Sequence, residues 1–427
     1  MDELHNDFME KQQVVRLLQD LNPQWDKERI DFEDEIIERE ILERLKEFDR
    51  SIGIIGQRRV GKTTLLQQFL EERASELGWD RTCYFSFDIR EIEVKSLVET
   101  FCEEILGEPL SDLEDQVHFF LDEVQNLEDW SSHVKHFQDH YDNIHFTVTG
   151  SSASNIVKGA GESLVGRFSP IRLFPFSFRE YLKYNGLKQE RSELSDVKLP
   201  GRKIALKFRD YFEEGGLPEL YRSKRPMEDL EENLDLVFFR DMVELFNVGR
   251  SSILKDIFLL LASQTGQKMS YNSLSNSLDS DFRTVKKYVG YLENSYLIQR
   301  SKPYTKSKYK SVRKNPKVYI EDHAYNRIYP TKEGLKAETI AFNHAKRLEE
   351  PYYFREPEVD IVLPERGVLL EVKYSEDVGG KDLENLVEAA EETGFKPYLL
   401  TKDDYGTRTI EGVEVELIPL YGFCLCV

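Results

Sequence analysis

Two short stretches carry residues that could bind a nucleoside triphosphate and cleave it. Gly56 to Thr64 reads GQRRVGKTT and fits the spacing G-x-x-x-x-G-K-[ST]. Gly56 and Gly61 let a loop backbone turn its N–H groups towards phosphate oxygens. Gln57, Arg58, Arg59 and Val60 span the loop between them, and Thr64 closes the motif. Lys62 would reach the β- and γ-phosphates, and Thr63 would ligate Mg²⁺. The second stretch, FFLDE at Phe119 to Glu123, is an apolar run ending in two acids. Asp122 is placed to hold Mg²⁺ through its shell, and Glu123 to polarise an attacking water. The alternative is a bound nucleotide that never turns over, and the presence of Glu123 speaks against it. No N-K-x-D motif follows the loop at a suitable distance, so ATP rather than GTP is expected.

Three further groups bear on that site. The run FTVTGSS brings Thr149, Ser151 and Ser152 to a strand's end, where a hydroxyl could sense the γ-phosphate or cap the next turn. Arg167, in LVGRFSP, could act on the γ-phosphate in cis or across a subunit boundary of a homo-oligomer; the alternative is an ordinary surface arginine. His133, His136 and His140 fall near one helical face, but no cysteine or acidic motif completes a metal set. They read as a solvated face.

A second constellation lies in EVDIVLPERGVLLEVKY, Glu358 to Tyr374. Asp360 sits in one strand, and Glu371 and Lys373 share a face of the next. Two carboxylates and a lysine that converge can hold Mg²⁺ and activate water for phosphodiester cleavage. Glu338, on the preceding helix, is a fourth candidate. The alternative is an exposed hairpin with charges on its wet face, although Val359, Ile361, Leu369, Leu370 and Val372 make both strands apolar.

Composition bounds what these sites can serve. The chain has 427 residues, 40% hydrophobic and 32% charged, and reads as about three soluble domains. No apolar run is long enough to span a membrane, and the polar start MDELHNDFMEKQQ is no secretory signal. Four cysteines without a C-x-x-C pair suit a reducing cytoplasm. Cys424 stands fourth from the end, as in a prenylation box, but PLYGFCLCV reads as a final buried strand. The formal charge is -21, which does not steer the whole body to nucleic acid. Arg300 to Tyr319 departs from that balance: Arg300, Lys302, Lys306, Lys308, Lys310, Arg313, Lys314 and Lys317 stand there without an acid. Segment 300–317 could contact DNA phosphates, with Tyr304 and Tyr309 available to stack.

The elements that must position these residues alternate. Phe32–Phe48 has one apolar helical face. SIGIIG is a strand into the loop, and Lys62–Leu77 an amphipathic helix after it. Strands at Thr82–Asp88, Val117–Glu123, Ile144–Ser152 and Ile171–Phe178 alternate with helices at Ser96–Leu106 and Trp130–Tyr141. Apolar strands separated by helices imply a parallel sheet covered on both faces. Residues 178–247 read as helices interrupted at GGLP. Three short helices over 251–300 and a hairpin suggest a winged helix-turn-helix, with Phe282–Tyr291 as its recognition helix carrying Arg283, Lys286 and Lys287. A further α/β segment starts near Tyr319.

Taken together, GQRRVGKTTLL, FFLDEVQNLEDW, VTGSSAS, LVGRFSPIRLFPFSFREYL, GGLPE, PKVYIED and EVDIVL…LLEVKY resemble, in order and over nearly the whole chain, the AAA-type P-loop ATPases of archaea and bacteria that carry a C-terminal domain of unassigned function. Relatives group near the STAND signalling NTPases. The C-terminal segment resembles the PD-(D/E)xK restriction-endonuclease-like fold, with Asp360, Glu371 and Lys373 at its signature positions and Val359 where the usual proline stands. The resemblance implies an α/β chain: a helical extension (1–50), an ASCE-type parallel-sheet P-loop ATPase core (51–185), a helical lid (186–250), a winged helix with a basic wing (251–319) and a restriction-endonuclease-like α/β domain (320–427). The expected function is an ATP-driven switch or motor controlling a DNA-directed module. The rival is a nucleotide-dependent regulatory protein whose nuclease-like domain cuts nothing.

Overall fold

A computed structural model describes residues 2–32, 36–48, 50–89, 92–150, 168–197, 201–305, 315–375 and 380–427; the side chains of 2–10 and 380–382 are outside that description. The chain divides into two compact units, Met1–Phe174 and Pro175–Val427.

The first unit is built on strands β1 (Ser51–Ile55), β2 (Thr82–Ser86), β3 (Val117–Asp122), β4 (Ile144–Gly150) and β5 (Phe168–Arg172), in the order β2-β3-β4-β1-β5. Every neighbouring pair is parallel. β1 and β3 are buried along their whole length, which a parallel sheet requires because helices cover both faces. Helix α4 (Lys62–Leu77) drives Leu65, Leu66, Phe69 and Leu70 against Ile52, Ile54 and Phe120. β4 stands between β1 and β3, so the loop after β1 and the acids after β3 open at the same edge, one strand apart.

Before β1 the chain holds helices α1 (Asp2–Leu21), α2 (Gln24–Lys27) and α3 (Ile41–Lys46). The helix expected over Phe32–Phe48 is therefore short. The Ile37 carbonyl accepts from Gln68 Nε2 (2.7 Å) and the Arg39 N–H donates to Gln68 Oε1 (3.4 Å), so both groups bond a side chain instead of a helical turn. Asn22 pairs with edge strand β2 as a strand would, Nδ2 donating to Tyr84 O (2.9 Å) and Oδ1 accepting from Tyr84 N (2.7 Å). That contact covers a sheet edge. Further helices are α5 (Val94–Thr100), extended by a π-turn Phe101–Leu106, and α6 (Trp130–His140).

β5 ends at Arg172, short of the Phe178 limit expected for that strand, and the second unit opens with α7 (Phe178–Tyr184), the start of the helices expected over 178–247. Ser177 and Glu180 form a reciprocal capping box that starts a helix at Phe178. α8 (Arg202–Glu214) follows, and its Ile204, Phe208, Tyr211 and Phe212 join one core with Phe178, Ile340, Ile361 and Phe423. The helices over 186–250 fall within the second compact unit. Helices α9 (Pro218–Arg222), α10 (Pro226–Leu236) and α11 (Met242–Phe246) share a second core with α12 (Ser251–Ser263), α13 (Tyr271–Ser277) and α14 (Phe282–Asn294). An antiparallel ribbon follows, β6 (Ile298–Ser301) against β7 (Lys317–Ile320).

The remainder is a mixed sheet of β8 (Tyr352–Arg355), β9 (Glu358–Leu363), β10 (Val368–Lys373), β11 (Lys396–Thr401), β12 (Gly406–Ile410) and β13 (Val413–Pro419), in the order β12-β13-β11-β10-β9-β8. β10 pairs parallel with β11 and β11 with β13, and the other pairs are antiparallel. α15 (Glu333–Leu348) supports one core of this sheet and α16 (Gly380–Thr393) the other. The chain closes in α17 (Leu420–Cys424), not in the expected strand. Leu420, Phe423 and Cys424 recur at helical spacing and all three face the core, so an apolar run that fits both periods resolves as a helix. Cys424 is fully buried there. No helix among the described residues is long and apolar enough to cross a membrane.

Candidate functional site

The loop Gly56–Gly61 leaves the end of β1 and delivers Lys62 as the first residue of α4. Its backbone turns through positive φ at Arg59 (65°) and Gly61 (94°). Glycine adopts such angles without cost, and a helix N-terminus beside it attracts anions. Lys62 is 6% exposed, and its Nζ donates to the Gly56 (3.3 Å) and Gln57 (3.1 Å) carbonyls. The ammonium is therefore folded over the loop that would receive the phosphates.

The acids of β3 lie across from it. Asp122 is 3% exposed and accepts from Thr63 Oγ1 (2.8 Å), Tyr84 OH (3.2 Å) and Thr149 Oγ1. Burial pushes the Asp122 carboxyl above its usual range; Thr149 and Thr63 pull it back, as does the charge of Lys62. Burial also raises the Tyr84 phenol, so it stays a donor to Asp122. Glu123 has left-handed backbone (φ 53°), rare for a residue with a side chain. Its N–H donates to Thr149 Oγ1 (3.1 Å), and its carboxylate accepts from Gln125 Nε2. Thr149 thus ties the two acids together from β4. Thr63 and Asp122 present a hydroxyl and a carboxylate oxygen side by side, a donor set that suits a hard cation such as Mg²⁺.

The second constellation also converges, around a residue expected elsewhere. Beyond the pair Leu370↔Ile361 the ladder between β9 and β10 ends. Side chains bridge the opening: the Asp360 N–H donates to Glu371 Oε2 (3.2 Å), and Asp360 Oδ2 accepts from the Val372 N–H (3.1 Å). Glu338 from α15 comes to the same place. Between them stands Lys317, 3% exposed, its Nζ 2.7 Å from Asp360 Oδ1 and 2.8 Å from Glu338 Oε1. Tyr319 OH donates to Glu338 Oε1 as well (2.7 Å). Burial pushes Glu338 up to about 7, with Asp360 repelling its charge and Lys317 opposing. Glu371 is pushed up by the same causes. Burial would lower Lys317, but Asp360, Tyr319 and Glu338 outweigh it and hold the ammonium well above its usual range.

Lys317 is therefore not a phosphate contact of the basic strip but the counter-ion of this cluster. Arg300 is also engaged, with Glu293 and Tyr271 OH. Tyr304 is no free stacking platform; it packs among Tyr352, Phe354 and Phe395. Lys302 is exposed, as are Arg283, Lys286 and Lys287 on α14. Lys373 is half-buried at the end of β10. Ser151, Ser152, Arg167, Lys306, Lys308, Tyr309, Lys310, Arg313 and Lys314 lie outside the described residues. Sequence reasoning missed Tyr84 and the inward role of Lys317. A lone tyrosine or lysine carries no spacing signal: strand pairing brings Tyr84 to Asp122, and packing of the ribbon on α15 and β9 brings Lys317 to its acids.

Residues 49–182 match a family model described as an AAA domain. This chain carries an AAA-type P-loop ATPase domain. Residues 205–327 match a domain of unknown function (DUF8612). An uncharacterized protein of Haemophilus influenzae is 24% identical over 398 residues, covering 88% of this chain and 94% of that one. An uncharacterized protein of Methanocaldococcus jannaschii is 25% identical over 439 residues, covering 93% and 96%. Among solved structures, a Walker-type ATPase of Pyrococcus abyssi is similar at 14% identity and a TM-score of 0.44, covering 70% of this chain and 98% of that chain.

Proposed function

We propose that the protein is an ATP-hydrolysing switch whose second unit binds DNA. The observation that supports this best is the junction of Thr63, Asp122, Thr149 and Glu123 at the loop's edge. An arriving triphosphate offers Lys62 better acceptors than the Gly56 and Gln57 carbonyls, and the ammonium moves onto the β- and γ-phosphates. Thr63 and Asp122 would hold Mg²⁺, which when bound neutralises charge developing on the phosphates. Glu123, fixed at its backbone by Thr149, orients the water in line with the γ-phosphate. Arg167 supplies a further positive charge, in cis or from a second copy in a homo-oligomer. The test is phosphate release from ATP by the wild type beside Lys62→Ala. Turnover abolished in the variant is expected; equal turnover would remove the site from the account.

For the output, α12 to α14 with the ribbon β6–β7 suit a winged helix, and exposed Arg283, Lys286 and Lys287 suit DNA phosphates. The triple alanine variant should weaken binding of a duplex oligonucleotide and flatten its salt dependence, as read by fluorescence anisotropy. Unchanged binding would shift the contact to other residues. The mixed sheet with Asp360, Glu338, Glu371 and Lys373 suits a restriction-endonuclease-like fold. Lys317 favours the reading in which that fold is a platform, since its ammonium already engages the oxygens a cation would take. Plasmid left uncut by the wild type with Mg²⁺ or Mn²⁺ is expected. Cleavage lost in Asp360→Ala would overturn it.

A further inference from the structure

A loop that aims its N–H groups at a phosphate must aim carbonyls the other way, and a buried carbonyl needs a donor. Val60, the loop's fully buried anchor, has its carbonyl bonded by Arg39 Nη1 at 3.0 Å. The other arm of the same guanidinium, Nη2, donates to the Phe174 carbonyl at 2.7 Å. Arg39 is only 4% exposed, far more enclosed than arginine usually is. The Gln68 side chain donates to the Ile37 carbonyl and accepts from the Arg39 N–H, which fixes this backbone to α4, the helix that begins with Lys62. The other end of the loop leans on the same exit from β5. A Cβ at Gly56 would meet the Leu173 carbonyl at 2.5 Å, and the Leu173 N–H donates to Ile55 O (2.7 Å). Leu173 and Phe174 therefore brace the loop at Gly56 directly and at Val60 through Arg39.

We propose that Arg39 is a positioning residue of the nucleotide site, spanning the Val60 and Phe174 carbonyls so that the phosphate loop is held in its binding shape before nucleotide arrives. The inference rests on the ATP-binding reading of that loop. A planar guanidinium can serve two carbonyls at once with fixed geometry, whereas a lysine ammonium is a point donor on a flexible stem. Arg39 acts through the loop backbone, and its permanent charge beneath the loop adds to the field that favours an anion.

The test compares the full-length wild type with Arg39→Lys and Arg39→Ala. ADP affinity is measured by calorimetry, ATP turnover by phosphate release, and melting temperature with and without ADP. Arg39→Lys keeps charge and bulk and carries the test if the alanine variant fails to fold. The expected result is ADP affinity lowered about 10-fold in Arg39→Lys, the effect of losing one hydrogen bond to a charged group. Melting of the nucleotide-free protein should change little in that variant, while the stabilisation gained from ADP shrinks. ADP affinity and kcat/KM both unchanged in Arg39→Lys, with only the nucleotide-free melting temperature lowered, would overturn the proposal. A wild type that binds ADP without turning ATP over would remove hydrolysis from the functional reading, while the ADP comparison still decides the role of Arg39.

Discussion

Thr149 does at the residue scale what neither acid can do alone. Its hydroxyl donates to Asp122 and accepts from the Glu123 N–H, so the acid proposed to hold the cation and the acid proposed to orient the water share one support. Thr149→Val keeps the shape and removes that support. Supporting shells of this kind typically change activity by roughly 10- to 100-fold, so kcat should fall within that range with ADP affinity retained. Steady-state turnover beside calorimetry checks it. Lys317 is the counterpart in the second unit. Lys317→Met leaves Asp360 and Glu338 buried without their counter-ion, which should cost about 3–5 kcal/mol in chemical denaturation. Lys317→Met with Glu338→Gln should recover part of that loss, because one of the two stranded charges is gone. The motif residues Lys62, Thr63, Asp122 and Glu123 were legible because their chemistry is written in local spacing. Lys317 was not, because it faces carboxylates 21 and 43 positions further on.

Strands and helices with a clear period were legible at the scale of elements. β1, β3, β4 and α4 fall where apolar runs and the amphipathic pattern place them. Two of the failures share one cause, a non-local contact that overrides a local pattern. Gln68 takes the groups that would continue a helix into α3, and the core claims one face of Leu420–Cys424. The strand expected to reach Phe178 stops at Arg172, and the local capping box of Ser177 and Glu180 starts a helix at Phe178. Ser177→Ala should therefore cost about 1 kcal/mol of stability, as lost N-caps do. The GGLP turn is held by Asp322, whose carboxylate accepts from the Gly216 N–H (2.9 and 3.0 Å) and the Ala324 N–H (2.7 Å). Burial pushes Asp322 up to about 7, against those bonds. Its folded value thus lies above the unfolded one near 4. Between these values the native state keeps a proton that the unfolded chain has released, so this group makes stability fall as pH rises from about 4 to 7. Asp322→Asn should flatten that slope in denaturation series across the window. An unchanged slope would place its origin elsewhere, Glu338 being the next group.

The whole molecule consists of two compact units meeting in sequence at Phe174 and Pro175. Motif order reads as a nucleotide-binding core followed by helical and α/β segments. α7 and α8 join the core of the second unit, because Phe178, Phe208 and Tyr211 find their partners more than a hundred residues later, in α15 and α17. Two compact units predict two unfolding transitions in calorimetry. ADP at about 100 times its Kd should raise the stability of one by about 2.7 kcal/mol and leave the other in place. A single transition moving as a body would show that the halves unfold together. The central claim is that Glu123 turns a phosphate cradle into a hydrolytic site. Glu123→Gln keeps size and backbone while removing the charge that orients water. Measured together, its ATP affinity should match the wild type and its single-turnover hydrolysis should fall at least about 100-fold. Hydrolysis at the wild-type rate in Glu123→Gln would contradict the account.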